Sequence, residues 1–375
     1  MKVCLFANTF HYPKGGGHFW AYLNWALGLR SIGCDVIWME GVNFKPDTPI
    51  HLMQERIAEI SLKLRVYDFD QSLALWSWND NLPPEISKQF LDFSATTEAD
   101  LFIAMDYYLP QKLIELFKRS VLIDIDPGLL QLWMSSDKIK PAEYDVYFTI
   151  GETVGKPEAR FPDAGVSWQY TPPCVALDYW TPKLISDNAP FTTISHWSGE
   201  FMDDGAQYYS NAKRDGFLPY LDLPRLTKQP LELALCLSDD EKDDLMLLQE
   251  HGWSVRDSYA VSSTPRDYQS YIQNSRGEFS CVKPSCVRLQ NAWISDRTIC
   301  YLASGKPVVI EHTGKSNFLP DSEGMFRFRN LKEAAWSLET VASDYEQHCR
   351  LARALAEEYF DARKVAGRLL ERALA

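Results

Sequence analysis

The sequence predicts an α/β protein made of two parallel-sheet domains facing each other across a cleft. Three observations predict it. The chain opens with a short apolar run, a glycine-bearing loop, a helical segment and a second apolar run, the order of a β-loop-α-β unit, which chirality makes a right-handed crossover. The same alternation resumes after residue 190, beyond a proline- and aromatic-rich stretch with little periodicity. The 375 residues also leave room for two cores, at about 100–200 residues per domain.

Composition narrows the class further. Hydrophobic residues make up 46% and charged residues 24%, an ordinary globular balance that excludes a disordered, collagen-like or coiled-coil chain. With 38 Lys+Arg against 51 Asp+Glu the net charge is -13, so there is no strong signal for nucleic acid or an anionic membrane, although a local basic pocket for one or two phosphates is compatible. No apolar run approaches the roughly 18 residues of a membrane span. The start, MKVCLFANTF, enters a strand-like run at once rather than a signal-peptide core. Eight cysteines form no C-x-x-C pair and sit mostly in apolar stretches, as buried free thiols do. The expectation is a soluble, cytoplasmic protein.

The elements follow in order. Val3–Ala7 is long enough for a buried parallel strand and too short for a helix. Residues 8–17 form a polar loop containing Gly15, Gly16 and Gly17; His18–Ser31 is helical, with Trp20, Leu23, Leu27 and Arg30 in register and Gly33 as its stop. Asp35–Met39 is the next strand. Ala99–Met105, Ser120–Ile125 and Asp145–Ile150 are further strands, each with acids at its end: Asp106, then Asp124 and Asp126, then Glu152. Acids just past the apolar positions suggest a functional rim, because open α/β sheets bind ligands at the carboxyl ends of their strands. Residues 168–190 are expected to be an ordered interdomain connection. The second series comprises strands at Phe191–His196, Leu231–Leu237, Trp253–Val255, Pro307–Glu311 and Met325–Phe328, a strand or turn at Gly277–Val282, and helices at Tyr268–Asn274, Ser295–Ser304 and Leu331–Val341. A long helical tract, 343–374, breaks near Tyr359-Phe360-Asp361. The domains expected are 1–180 and 190–355, with 356–375 a helix packing back on the first.

Residues 293–310, WISDRTICYLASGKPVVI, carry the densest chemistry. Ser295 is an N-cap, Asp296 and Arg297 open a helix, Gly305 ends it and a buried strand follows. Unpaired N–H groups and the helix dipole favour an anion at such a start, so a diphosphate beside Arg297 is chemically sensible. Asp296 can accept a hydrogen bond from a ribose or sugar hydroxyl. Taken alone, these residues would merely cap a helix.

The surrounding sequence resembles the C-terminal domain of nucleotide-sugar-dependent glycosyltransferases of the GT-B architecture. The matching residues are Ser275-Arg276-Gly277-Glu278-Phe279, Trp293 to Arg297, Tyr301 to Val309 (YLASGKPVV), Thr313-Gly314 and Glu323-Gly324. The resemblance implies two Rossmann-like domains, a nucleotide-sugar donor held by the second and an acceptor of unknown identity presented by the first. It departs from the pattern in one respect. Many retaining members carry two glutamates eight residues apart, and here those places are Ala292 and Cys300. Asp296 is the substitute expected to meet the ribose.

Within that resemblance, Gly15–Gly17 would face the donor sugar; read from the residues alone, they fit a plain flexible turn equally well. Their spacing is neither a dinucleotide fingerprint nor a P-loop. Arg276, Lys283 and Lys213 are the cations that would neutralise a departing nucleoside diphosphate without a metal. Glu278 either binds a sugar hydroxyl or pairs with Arg276, and Thr313-Gly314 completes the donor side. For a general base the first choice is Asp126, stiffened by Pro127 at a strand end; His18 is second and Asp106 a further candidate, while His11 is set aside because a lone histidine is more often structural. Asp124 and Asp126 point opposite ways if their strand continues, so at most one faces the cleft. No cofactor and no metal are expected, since histidines and cysteines lack ligand spacing. The rival functions are a nucleotide-sugar epimerase on the same plan, which would interconvert the donor without acceptor, and a non-catalytic sugar- or nucleotide-binding protein.

Overall fold

A computed structural model describes residues 1–43, 49–79, 82, 83, 86, 90, 91 and 93–375. Lys2–Ala7 (β1), Asp35–Val42 (β2), Leu73–Ser77 (β3), Leu101–Ala104 (β4), Ser120–Asp124 (β5), Val146–Thr149 (β6) and Trp168–Tyr170 (β7) make one parallel sheet in the order β3-β2-β1-β4-β5-β6-β7. Phe191–His196 (β8), Leu231–Cys236 (β11), Ser254–Asp257 (β12), Gly277–Ser280 (β13), Val308–Glu311 (β14) and Met325–Phe328 (β15) make a second, ordered β12-β11-β8-β13-β14-β15. A small antiparallel hairpin, Phe201–Asp203 (β9) with Tyr208–Ser210 (β10), is inserted after β8. Both sheets reverse direction of growth once, between β1 and β4 and between β8 and β13. Loops leaving strands at such a switch point border a crevice.

Strand burial explains the sheet order. β1, β4 and β5 are apolar almost throughout because helices cover both faces. Val3, Leu5 and Ala7 pack under the Gly16–Ser31 helix, and Cys4 and Phe6 join the core on the opposite face, the period-2 alternation of a strand. The 168–170 segment, expected to be connection, instead adds β7 to the sheet edge, pairing Tyr147 with Trp168. Three residues are too few to show a period.

The carboxyl ends of the two sheets face each other and touch. Asn291 Nδ2 donates to Pro127 O at 2.7 Å, and Trp20 Nε1 to Pro265 O at 2.8 Å. Glu152, just past β6, accepts the backbone N–H groups of Asn317 (2.6 Å) and Phe318 (3.1 Å). After the helix Tyr345–Leu355 the chain makes a π-helical turn, Ala356–Phe360, and crosses back. Val175 exchanges backbone hydrogen bonds with Phe360 O (2.8 Å) and Ala362 N (3.0 Å), and the Ala362–Leu374 helix lies against the first domain's helix. Gly28 permits that contact: a Cβ there would stand 2.8 Å from Ala362. All eight cysteines are free, and no described helix is long and apolar enough to cross a membrane.

Candidate functional site

Four loops border the two switch points: those leaving β1 and β4 in the first domain, and those leaving β8 and β13 in the second. The loop after β1 is held by Glu40, an acid inside the apolar β2. Its carboxylate accepts the N–H of Thr9 (2.9 Å) and Phe10 (3.1 Å), the Thr9 hydroxyl, and Trp38 Nε1 (2.8 Å). Burial pushes the Glu40 carboxyl up to about 7 against the pull of those donors. The residue is wholly buried, so it positions the loop and meets no ligand. An acid within DVIWMEGV is the signal that sequence reasoning passed over.

Next to that loop, His18 Nε2 stands 2.9 Å from Asn8 O, and Asn8 Nδ2 donates to Asp106 Oδ2 at 3.1 Å. A carbonyl can only accept, so Nε2 carries the proton and Nδ1 keeps the lone pair. Burial lowers the His18 pKa, opposed by the Asn8 carbonyl and by the charges of Asp296 and Asp106. Burial likewise raises Asp106, opposed by the Tyr108 N–H and by His11 and His18. The structure thus gathers His18, His11 and Asp106 from the first domain with Asp296 from the second. Asp126 falls outside that group. Its carboxylate lies 3.5 Å from Tyr107 Oη, and its backbone N–H donates to Asp124 Oδ1 at 2.9 Å. Asp124 is fully buried, accepts from Gln131 (2.9 Å) and Thr149 (2.8 Å), and is raised to about 6 by burial. Asp124 is scaffold, and Asp126 sits with Asp124 and Tyr107 rather than with His18, Asp106 and Asp296, so His18 replaces it as the base favoured here.

The glycines are a second correction. None of Gly15, Gly16 and Gly17 has positive φ. A Cβ on Gly16 would meet Thr264 O at 2.2 Å, and one on Gly17 the Tyr268 ring at 2.6 Å. Gly16 and Gly17 therefore let the first helix abut the second domain; close packing against protein, rather than against a sugar, fixes them.

On the second domain, three of the predicted donor residues are tied up elsewhere. Arg276 precedes β13 and so lies at its amino end, about 13 Å from the carboxyl end at ~3.3 Å per residue. There it donates to Asp187 (2.8 Å) and stacks on Tyr345, 4.1 Å from the ring centre. Arg297 turns inward. It donates to Glu278 Oε1 (2.8 Å), Ile194 O (2.8 Å) and Ser280 Oγ (2.7 Å), a buried ion pair bracing β8 against β13. Glu278 thus pairs with Arg297, not Arg276, and is wholly buried.

Lys213 is different. It follows the β9–β10 hairpin in the connection leaving β8, packed on the end of β13 so closely that a Cβ on Gly216 would lie 2.1 Å from Val282 O. Its Nζ donates to Cys281 O at 2.7 Å, and it is buried. Burial, then the nearby charges of Arg297 and Lys283, bring its pKa down to about 8. Lys283, half-buried, stands at the residue before the Pro284–Leu289 helix, just after β13, and its side chain makes no capping bond there. Two lysines thus share the carboxyl ends of the switch-point strands.

The remaining donor candidates form the wall between these groups. Ser295 Oγ accepts from Arg297 N at 3.2 Å, capping the Asp296–Ala303 helix, and leaves Asp296 half-exposed. Thr313 grips the preceding loop through Trp293 O (2.8 Å) and Ala292 N (2.9 Å). Gly314 has φ 131°, where a Cβ would strike Gln290 O at 2.7 Å. Gln290 (φ 52°) and Ala292 (φ 54°) are both left-handed, an unusual pair of non-glycine residues that this grip holds in place. Cys300 is sealed by Asn24 of the first helix and by Asp296 O, so no ligand reaches that position.

No protein-family model and no curated protein sequence matches the chain. Solved structures do match over its whole length. HepE from Anabaena, solved with UDP, is 12% identical with a TM-score of 0.57, covering 99% of both chains. An alpha-glucosyltransferase in complex with UDP is 13% identical with a TM-score of 0.62, covering 100% of both. Sucrose-phosphate synthase from Thermosynechococcus elongatus is 11% identical with a TM-score of 0.56, covering 100% of this chain and 99% of that one. These similarities show a shared fold: two Rossmann-like domains across a cleft, the GT-B architecture.

Proposed function

We propose that the protein is a glycosyltransferase that moves a sugar from a nucleoside-diphosphate sugar to an acceptor hydroxyl, with lysines rather than a metal ion balancing the leaving group. The observation that carries this reading is Lys213, a buried ammonium with its pKa drawn down to about 8, beside Lys283 at the second switch point. A buried cation crowded by other cations is costly unless an anion completes it. The charge of a diphosphate there would be balanced by Lys213, Lys283 and the helix start at Asp296. UDP is the first nucleotide to test, because HepE and the alpha-glucosyltransferase with the same fold were solved with it.

Opposite that seat, neutral His18 offers Nδ1 as the base that takes the acceptor hydroxyl's proton as the new bond forms. Asp106 stabilises the imidazolium that results. Asp296 supports the same charge from the second domain and is available to a donor hydroxyl.

The test is a panel of sugar nucleotides screened by thermal shift and by slow hydrolysis without acceptor. A donor that raises the melting temperature and releases free sugar supports the reading; interconversion of the donor instead points to an epimerase. His18→Ala is expected to lower the hydrolysis rate by about 10²–10⁴ while leaving nucleotide affinity unchanged. A full-rate variant would remove His18 from its role.

A further inference from the structure

We propose that a cavity at the carboxyl ends of β14 and β15 is a binding site for a small phosphorylated molecule of about sugar-phosphate size, distinct from the nucleotide seat proposed at Lys213 and Lys283. The cavity measures about 690 Å³ and is lined by four basic side chains, His312, Lys315, Arg327 and Arg329, against one acid, Asp321, with Phe318 and Tyr359 among its other walls. That volume falls within the range of small-molecule sites.

Strand geometry assembles the cations. Arg327 and Arg329 are two residues apart along β15 and its continuation, so they share a face, while Phe328 between them enters the core on the other side. Ile310 pairs with Arg327, and His312 N donates to Phe328 O at 2.8 Å, which sets His312 on the same face of the adjoining strand. All these positions lie at carboxyl ends, the edge where parallel sheets take ligands.

The charges are poorly balanced. The Arg327 side chain is only 7% exposed, yet its ion-pair partner, Asp321, is 91% exposed and its Nε has no hydrogen-bond partner. An exposed carboxylate is largely screened by water and does little for a buried guanidinium. Two further acids stand near and are engaged elsewhere: Glu333 accepts Arg329 N at 2.7 Å, and Glu152 of the first domain accepts the Ser316 hydroxyl and the Asn317 and Phe318 N–H groups. Burial lowers the His312 pKa, and Arg329 and Arg327 lower it further against the opposing charge of Asp321, so positive charge prevails around the ring. A phosphate would meet the planar donors of two arginines, the groups best matched to its oxygens. Phe318 and Tyr359, 5.3 Å apart edge to face, offer an apolar wall for a sugar-sized body.

Isothermal titration with glucose 6-phosphate and with inorganic phosphate tests the site in the full-length protein. Binding of both is expected, with affinity falling about tenfold or more in the double variant Lys315→Gln/Arg329→Gln, whose side chains are exposed and whose removal spares the fold. UDP affinity in that variant and glucose 6-phosphate affinity in Lys283→Gln should both match wild type, which separates this cavity from the nucleotide cleft. Absence of binding at millimolar probe, or equal binding by the double variant, overturns the proposal. Equal binding of glucose and glucose 6-phosphate does so too.

Discussion

Lys213 is a buried cation and Arg297 a largely buried one, both near the carboxyl end of β13, and their surroundings differ in one respect. Arg297 has a carboxylate, a carbonyl and a hydroxyl, all at 2.7–2.8 Å. Lys213 has one carbonyl, at 2.7 Å, two cations close enough to lower its pKa, and one acid in electrostatic reach, Glu311, whose carboxylate is already engaged by Val282 N and the Tyr220 hydroxyl. Burial alone does not separate a structural cation from a binding one. Counting the acceptors does, because a cation satisfied by its own fold has little left to offer an anion, whereas an unbalanced one gains most from a ligand.

That contrast breaks first at Arg297. Arg297→Ala strands Glu278 as an uncompensated buried charge and should cost about 3–5 kcal/mol in urea unfolding. A loss below about 1 kcal/mol would mean that the pair behaves like a surface bridge. Replacing both partners, as Arg297→Met with Glu278→Leu, should recover much of that loss.

Lys213→Met should do the opposite. It removes an unbalanced charge and keeps the stem, so the unliganded protein unfolds at the same urea concentration or a higher one. UDP affinity, read by calorimetry, should fall about ten- to a hundredfold. A destabilised variant that still binds UDP normally would make Lys213 a structural residue.

A smaller effect follows from pH. Lys213 titrates near 8 in the free protein, and a bound diphosphate favours its charged form. UDP affinity should therefore hold below pH 8 and decline as pH rises through it, by up to tenfold for each unit above. Lys213→Arg should flatten the profile, because arginine keeps its charge. Uridine, which has no phosphate, should show no such decline.

Arg276→Ala carries the smallest expected change, within about threefold in UDP affinity, since the residue lies at the far end of its strand. A larger loss would return Arg276 to the donor site.

These contrasts also mark what the sequence made legible. The central strands β1, β4, β5 and β14 stand out because burial on both faces leaves them almost wholly apolar. β7 and the β9–β10 hairpin were missed, being three residues each with pairing set by distant partners. Asp106 and Lys283 could be placed from sequence because they follow a recognisable strand. Arg276 and Arg297 could not be told apart from them by residue type: strand polarity removes the first, and a tertiary ion pair with Glu278 consumes the second. The roles of Gly16 and Gly17 depended on a surface from the other domain, which no local pattern records. Arg327 and Arg329 left a trace, R-F-R at a strand end, whose meaning required the neighbouring strand's His312.

The most direct measurement is a crystal structure of the UDP complex. The account predicts the diphosphate between the domains, its oxygens within hydrogen-bond distance of Lys213 Nζ and Lys283 Nζ, with His18 facing the side where the sugar would be. A diphosphate bound elsewhere on the molecule, with Lys213 still bonded to Cys281 O alone, would contradict it.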